Sequence, residues 1–149
     1  MIDDSPQPNF TIMSLLLILH IGVTWALVGL IWLVQVVQYP MLARVGRVEF
    51  VAFHAEYCRR ISWVVGPMML CELGSAVGLL WLGLREGWFL AGLPLVILVW
   101  GSTALVQVPL HERLRMGFDE HVARRLVVTN WVRTVAWSLR GALMAWGML

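Results

Sequence analysis

Glu72, Arg133 and Arg140 lie inside stretches of otherwise apolar sequence, where an ionisable side chain is costly unless it pairs or serves a ligand. At the helical rise of about 1.5 Å per residue, Glu72 falls between the levels of Arg133 and Arg140. Its carboxylate can pair with either guanidinium and fix helix register. Alternatively, an arginine is left to hold the carboxylate, quinone or carbonyl oxygen of a ligand. Two arginines against one glutamate leave a positive charge over, which favours an anionic or oxygen-rich guest. His20 sits in the outer third of its apolar segment, at the depth of Met144, so a His/Met pair for haem b competes with a hydrogen-bonded core histidine. His54, His111 and His121 fall in arginine-rich connections near Gln35, Gln38, Tyr39, Gln107 and Asn130. With Glu56, Glu112 and Glu120 completing a shell they could hold zinc, copper or iron, or they are solvated loop histidines.

Other chemistries lack their signatures. There is no HExxH, no paired ExxH of the di-iron bundles and too few histidines for a histidine box. No glycine-rich phosphate loop or nucleophile motif is present. Cys58 and Cys71 are thirteen residues apart, a spacing that suits neither a zinc site nor a redox pair, and whether they are more than buried small hydrophobes stays open. Haem b, a histidine-bound metal and cofactor-free chemistry therefore stay open.

The elements that carry these groups follow from composition. The chain has 149 residues, the length of one domain, with 60% hydrophobic and 13% charged residues. Soluble domains are about 45–50% apolar and about 25% charged. The expected fold is an all-α membrane protein of four transmembrane helices, about 12–39, 61–84, 88–108 and 126–149, with Pro40 and Pro109 ending the first and third. The leader carries Asp3 and Asp4 and no arginine, unlike a cleavable signal peptide. All 11 basic residues are arginine, which excludes lysine chemistry, and they flank apolar segments in a pattern unsuited to nucleic acid. Loops 40–60 and 109–125 carry four arginines each, against Arg85 alone in the 85–87 turn. Both long loops are thus expected in the cytoplasm and both termini outside, in a bacterial inner membrane.

On helical wheels each segment has one polar face. His20, Thr24, Gln35 and Gln38 group within about 60° on the first. Trp100, Thr103 and Gln107 line the third, Asn130, Arg133, Trp137, Arg140 and Met144 the fourth, and Glu72 with Ser75 and Cys58 the second. Four such stripes suit a bundle with a polar or ligand-bearing interior. The first and third segments both leave through Gln-x-Pro-apolar-x-x-Arg, at Gln38–Arg44 and Gln107–Arg113, and each is followed by a histidine and an arginine pair. Either the hairpin is duplicated in tandem or similar helix ends converged on similar residues.

The stretch Pro109-Leu-His111-Glu-Arg-Leu114, then Leu126, Asn130-Trp131-x-Arg133 and Trp137-x-x-Arg140, resembles the C-terminal half of the anthrone-oxygenase-like family of small four-helix membrane proteins. Some of its members are implicated in oxygenating polyketide anthrones. His111 stands where that family commonly has Asn. Leu19-His20-Ile21, Arg60-Ile61 and Pro67-Met-Met69 resemble the small bacterial protoporphyrinogen oxidase, which binds haem but uses a lysine this chain lacks.

Three function classes follow. One is an oxidoreductase or oxygenase acting on a lipophilic aromatic or quinone-like molecule that enters from membrane lipid. Arg133 and Arg140 would hold its oxygens, and Glu72 or His20 would move protons. Gln35, Gln38, Tyr39, Trp100, Gln107, Asn130 and Trp137 would line the binding site. The second is a non-catalytic accessory or binding subunit of a homo-oligomer or membrane complex. The third is a small transporter subunit, against which the apolar run Ala26–Val34 argues.

Overall fold

In a lipid-like setting a backbone must satisfy its own polar groups, and a long apolar run does so by coiling into a helix. The computed structural model describes residues 8–42 and 44–149, with side chains from Phe10 onward, and among these there is no strand. The acidic leader residues Asp3 and Asp4 lie outside the described residues. Helix α1 (Pro8–Leu33) continues through a π-turn (Val34–Gln38) into α2 (Tyr39–Leu42). Helix α3 spans Phe50–Trp81. Helix α4 (Gly87–Ser102) continues through a second π-turn (Thr103–Gln107) into α5 (Val108–Leu114), and α6 spans Glu120–Gly147. Three runs, Phe10–Leu42, Phe50–Trp81 and Gly87–Leu114, are long and apolar enough to cross a membrane, with mean hydropathies of 2.2, 1.5 and 2.1. Helix α6 is of similar length but carries Arg124, Arg125, Arg133 and Arg140.

Several boundaries differ from the sequence expectation. Helix α3 begins at Phe50, so His54 and Cys58 lie on a helix and not in a loop. Asp119 starts α6 at Glu120, six residues before Leu126, because its carboxylate accepts from the backbone N–H groups of His121 and Val122 at 2.8 and 3.1 Å. The expected loops 40–60 and 109–125 shrink to short connections. The end of α3 is closed by Gly83 at φ +92°, with Gly83 N–H bonded to Leu80 O and Leu84 N–H to Leu79 O. Arg85 adds hydrogen bonds to the Leu80 and Leu84 carbonyls.

Pro40 and Pro109 do not end their helices. A proline in a helix lacks the N–H and crowds the carbonyl four residues back. Both runs meet this with a five-residue π-turn that ends on the glutamine of the repeated motif, bonding Tyr39 N–H to Val34 O and Val108 N–H to Thr103 O. The wider turn makes room for the ring and inserts one residue into the helical register. Everything beyond it is rotated by about 100° from a straight α-helix.

Packing is uneven. Helix α6 packs against α1 and α4, and α1 against α3, whereas α3 meets the 87–114 run chiefly at α5. Gly141 lets α1 approach α6 closely: a Cβ there would lie 3.4 Å from Trp25 and Val28. Trp63, Trp81 and Trp146 are exposed, as are many leucine and valine side chains on the outer faces. Ala at position 141 fits that ordinary contact, but Leu overpacks it, at a cost of about 1–3 kcal/mol. In detergent–SDS unfolding titrations Gly141→Ala is therefore expected to match the wild type, while Gly141→Leu unfolds at clearly lower SDS.

Candidate functional site

The interior holds three polar groups of residues stacked along the bundle. The deepest joins Glu72 to Arg140, whose Nε donates to Glu72 Oε1 at 3.1 Å with both side chains shielded from solvent. Thr24 Oγ1 donates to the same oxygen at 3.0 Å, and Trp137 Nε1 donates to Oε2 at 3.1 Å. The guanidinium also donates from Nη1 to Gly92 O at 2.7 Å and from Nη2 to His20 Nε2 at 3.3 Å. An arginine can only donate, so His20 Nε2 must be the accepting nitrogen. Its proton then sits on Nδ1 and is donated to Ser75 Oγ at 2.7 Å, while Ser75 donates to the carbonyls of Cys71 and Glu72. Both imidazole nitrogens are engaged, so His20 has no lone pair for haem iron, and the His20/Met144 pairing does not fit haem b. Of the two pairings open from sequence, Glu72 takes Arg140.

The middle group surrounds Arg133. Its Nε donates to Asn130 Oδ1 at 2.9 Å and its Nη1 to Thr103 Oγ1 at 3.2 Å. Asn130 Nδ2 donates to Gln35 Oε1 at 2.8 Å, and Gln35 Nε2 to Val127 O at 3.1 Å. Arg133 is only 7% exposed, and its guanidinium lies 5.9 Å from the Trp137 ring centre. Among the described residues no carboxylate forms an ion pair with it.

Arg133 and Trp137 form one wall of a cavity of about 120 Å³. Leu27, Ile31, Tyr39, Tyr57, Thr103, Gln107 and His111 complete much of the lining. It lies between α3 and the 87–114 run, the loosest of the helix contacts. Gln107 Nε2 donates to Thr129 Oγ1 at 3.0 Å, which leaves its buried Oε1 without a partner. Thr129 donates its own proton to Arg125 O, so turning the amide over would only strand the other end. Trp100, expected among the binding residues, is absent from the cavity lining, and its Nε1 is a buried unpartnered donor. Gln38 is half-buried and accepts from Tyr57 at 2.9 Å.

The third group lies near the start of α3. His54 Nε2 and His111 Nδ1 are 3.0 Å apart, and the Cys58 thiol is 3.6 Å from each. Tyr39 Oη is 3.1 Å from His111 Nε2. Two of the three histidines expected at a metal therefore meet, and the third does not. His121 is exposed at the first turn of α6. Cys58, whose role the sequence left open, stands beside the two rings instead. Sequence held a signal for this, because His54 and Cys58 are one helical turn apart on one face. The expected carboxylate shell does not form: Glu56 is tied to Arg59 and Arg60, and Glu112 to Arg115.

No known protein family, curated protein or solved structure matches this chain.

Removing one partner of a buried ion pair costs about 3–5 kcal/mol, because the other charge is left without compensation. A carboxylate can shed that charge by taking a proton, but a guanidinium cannot. Glu72→Ala is therefore expected to destabilise more than Arg140→Leu in SDS unfolding, and the double variant less than the sum. Additive losses of equal size would show that the two residues are not coupled.

Proposed function

We propose that this is a four-span integral membrane protein of the oxidoreductase or oxygenase type. It would take a lipophilic aromatic, quinone-like molecule from the bilayer into the cavity beside Arg133. The observation that carries this reading is Arg133 itself, a buried cation with no carboxylate among the described residues and with its guanidinium on the wall of an apolar cavity. Such a charge is costly in a membrane interior unless an electron-rich group answers it. A carbonyl or phenolate oxygen of a bound ring would do so, and Gln107 on the same lining would have to turn its enclosed Oε1 towards the guest to accept from a hydroxyl. An engineered cavity of about 150 Å³ holds benzene, so one ring is the right scale for this space. An apolar tail would leave through the loose side between α3 and α4.

The Tyr39–His111 pair on the lining supplies groups able to exchange a proton with a bound oxygen. His20, Glu72 and Arg140, expected as proton carriers and oxygen holders, are better read as the structural lock of the bundle. The resemblance of residues 109–140 to the anthrone-oxygenase-like proteins points to the same substrate class. An accessory subunit would share the cavity but show no turnover.

The fourth span is α6, whose two membrane-depth arginines both face inward. The stretches 40–60 and 109–125, with four arginines each, lie at the cytoplasmic side of a bacterial inner membrane, and the 85–87 turn lies outside. In intact cells a membrane-impermeant maleimide should label Glu86→Cys and leave Arg47→Cys unlabelled in a background free of native cysteines. The reverse pattern would overturn the orientation.

Trp137 on the cavity wall gives a direct readout. Titrating a short-chain quinone into the detergent-purified protein should quench tryptophan fluorescence saturably. Losing a charge-assisted hydrogen bond costs about 1.5–3 kcal/mol, so Arg133→Leu should weaken binding roughly tenfold to a hundredfold. Unsaturable quenching, or equal affinity in the variant, would sink this reading.

A further inference from the structure

We propose that His54, Cys58 and His111 form a binding site for a late first-row transition-metal ion, with zinc as its reference occupant. The three donors come from two elements, α3 and α5, and all their candidate ligand atoms lie within 4.8 Å of one another. The separations are 3.0 Å between the two ring nitrogens and 3.6 Å from the thiol sulfur to each. Zinc binds histidine nitrogen at about 2.0–2.1 Å and thiolate at about 2.3 Å in a tetrahedral shell. Those bond lengths place two nitrogens about 3.3 Å apart and each nitrogen about 3.6 Å from the sulfur. The cluster matches the second spacing, but Cys58 Sγ is also 3.9 Å from His54 Nδ1. Binding therefore needs the His54 ring to turn its Nε2 lone pair towards the ion, as well as the two rings to part by a few tenths of an ångström.

The ligand types narrow the ion. Two imidazoles and a thiolate suit zinc, copper or cobalt and disfavour magnesium and calcium, which take oxygen. Binding displaces the thiol proton, so each ion bound releases one proton from Cys58. His111 would coordinate through Nδ1 and donate its Nε2 proton to Tyr39 Oη, the kind of outer hydrogen bond that fixes a metal-binding ring. Phe50 stacks on His54 at a centroid distance of 5.3 Å and holds that ring in place. Three protein ligands leave the fourth position of a tetrahedral ion to an exogenous donor. A hydrogen-bonded chain from Tyr39 through His111 to His54 would explain the ring contacts without a metal. One helical turn already brings Cys58 beside His54, but the 3.6 Å approach of its sulfur to His111 Nδ1 on α5 has no part in that chain.

His54 stands about one turn into α3, next to the connection that carries Arg44 and Arg47, with His54 and Cys58 buried and His111 half-buried. The site shares His111 and its outer partner Tyr39 with the cavity wall, but zinc binding is read with no quinone present, so its failure and that of the quinone-class reading are told apart.

The test uses full-length, chelator-treated protein in detergent. One equivalent of zinc is expected per chain. Cobalt in its place should give a thiolate-to-metal charge-transfer band and strong visible bands, kept in Cys71→Ser and lost in Cys58→Ser. Tyr39→Phe should weaken zinc binding by about 10–100-fold, the usual effect of removing such an outer hydrogen bond. To guard against a misfolded variant, Cys71→Ser protein carries Cys58 as its sole thiol, and zinc should slow the alkylation of that thiol. Substoichiometric zinc, a cobalt spectrum without the thiolate band, or alkylation indifferent to zinc would each overturn the assignment.

Discussion

A carboxylate that has left water must find donors for both its oxygens, and Glu72 finds them on two other helices. Arg140 and Trp137 reach it from α6 and Thr24 reaches it from α1, while Arg140 also grips the backbone of α4 at Gly92. Four helices are thus tied to one carboxyl group. A mismatch of even one turn between any two would strand a charge in a medium that cannot solvate it. The ion pair adds little net attraction once desolvation is counted, but it makes every other register far worse. The remaining polar interior depends on this alignment, since Trp137 is shared between the lock and the cavity wall.

From this lock the interior grades towards the arginine-rich end. Near Glu72 every polar group is answered. Around Arg133 the guanidinium is only partly satisfied, and Gln107 keeps an unused acceptor. At His54, Cys58 and His111 three potential ligand atoms face one another. Satisfied groups make rigid structure, and unsatisfied ones beside a cavity are where a molecule or ion gains by binding. Trp137 apart, the residues that hold the bundle are not the ones that face the open space.

Much of this was legible in the sequence. Hydropathy located the apolar runs, and the wheel placed Glu72, Ser75 and Cys58 on one face. Depth alone brought Arg140 or Arg133 opposite Glu72. What failed was local. Asp119 as a helix cap lengthened α6, and an extended α3 turned residues 50–60, His54 and Cys58 among them, from loop into helix. The wheel also assumed an unbroken α period. Beyond Val34 that assumption fails, so Tyr39 is buried while Gln38 is only half so. Proline was read as a stop because its lost hydrogen bond is visible in sequence, whereas the π-turn that absorbs it is not.

Each π-turn makes the length of its helix a discrete quantity. The first sits between the lock residue Thr24 and the ring-bearing Tyr39; the second sits between Gly92 and His111. Deleting any one residue from either segment would bring back the α-helical register, together with the crowding at Pro40 or Pro109 that the wider turn relieves. It would also swing Tyr39 or His111 about 100° out of place against an anchor that cannot follow. Residues 34–38 and 103–107 are therefore fixed in number whatever happens to those whose side chains point outward, so a chain that keeps this interior must keep the spacing from anchor to site to the residue.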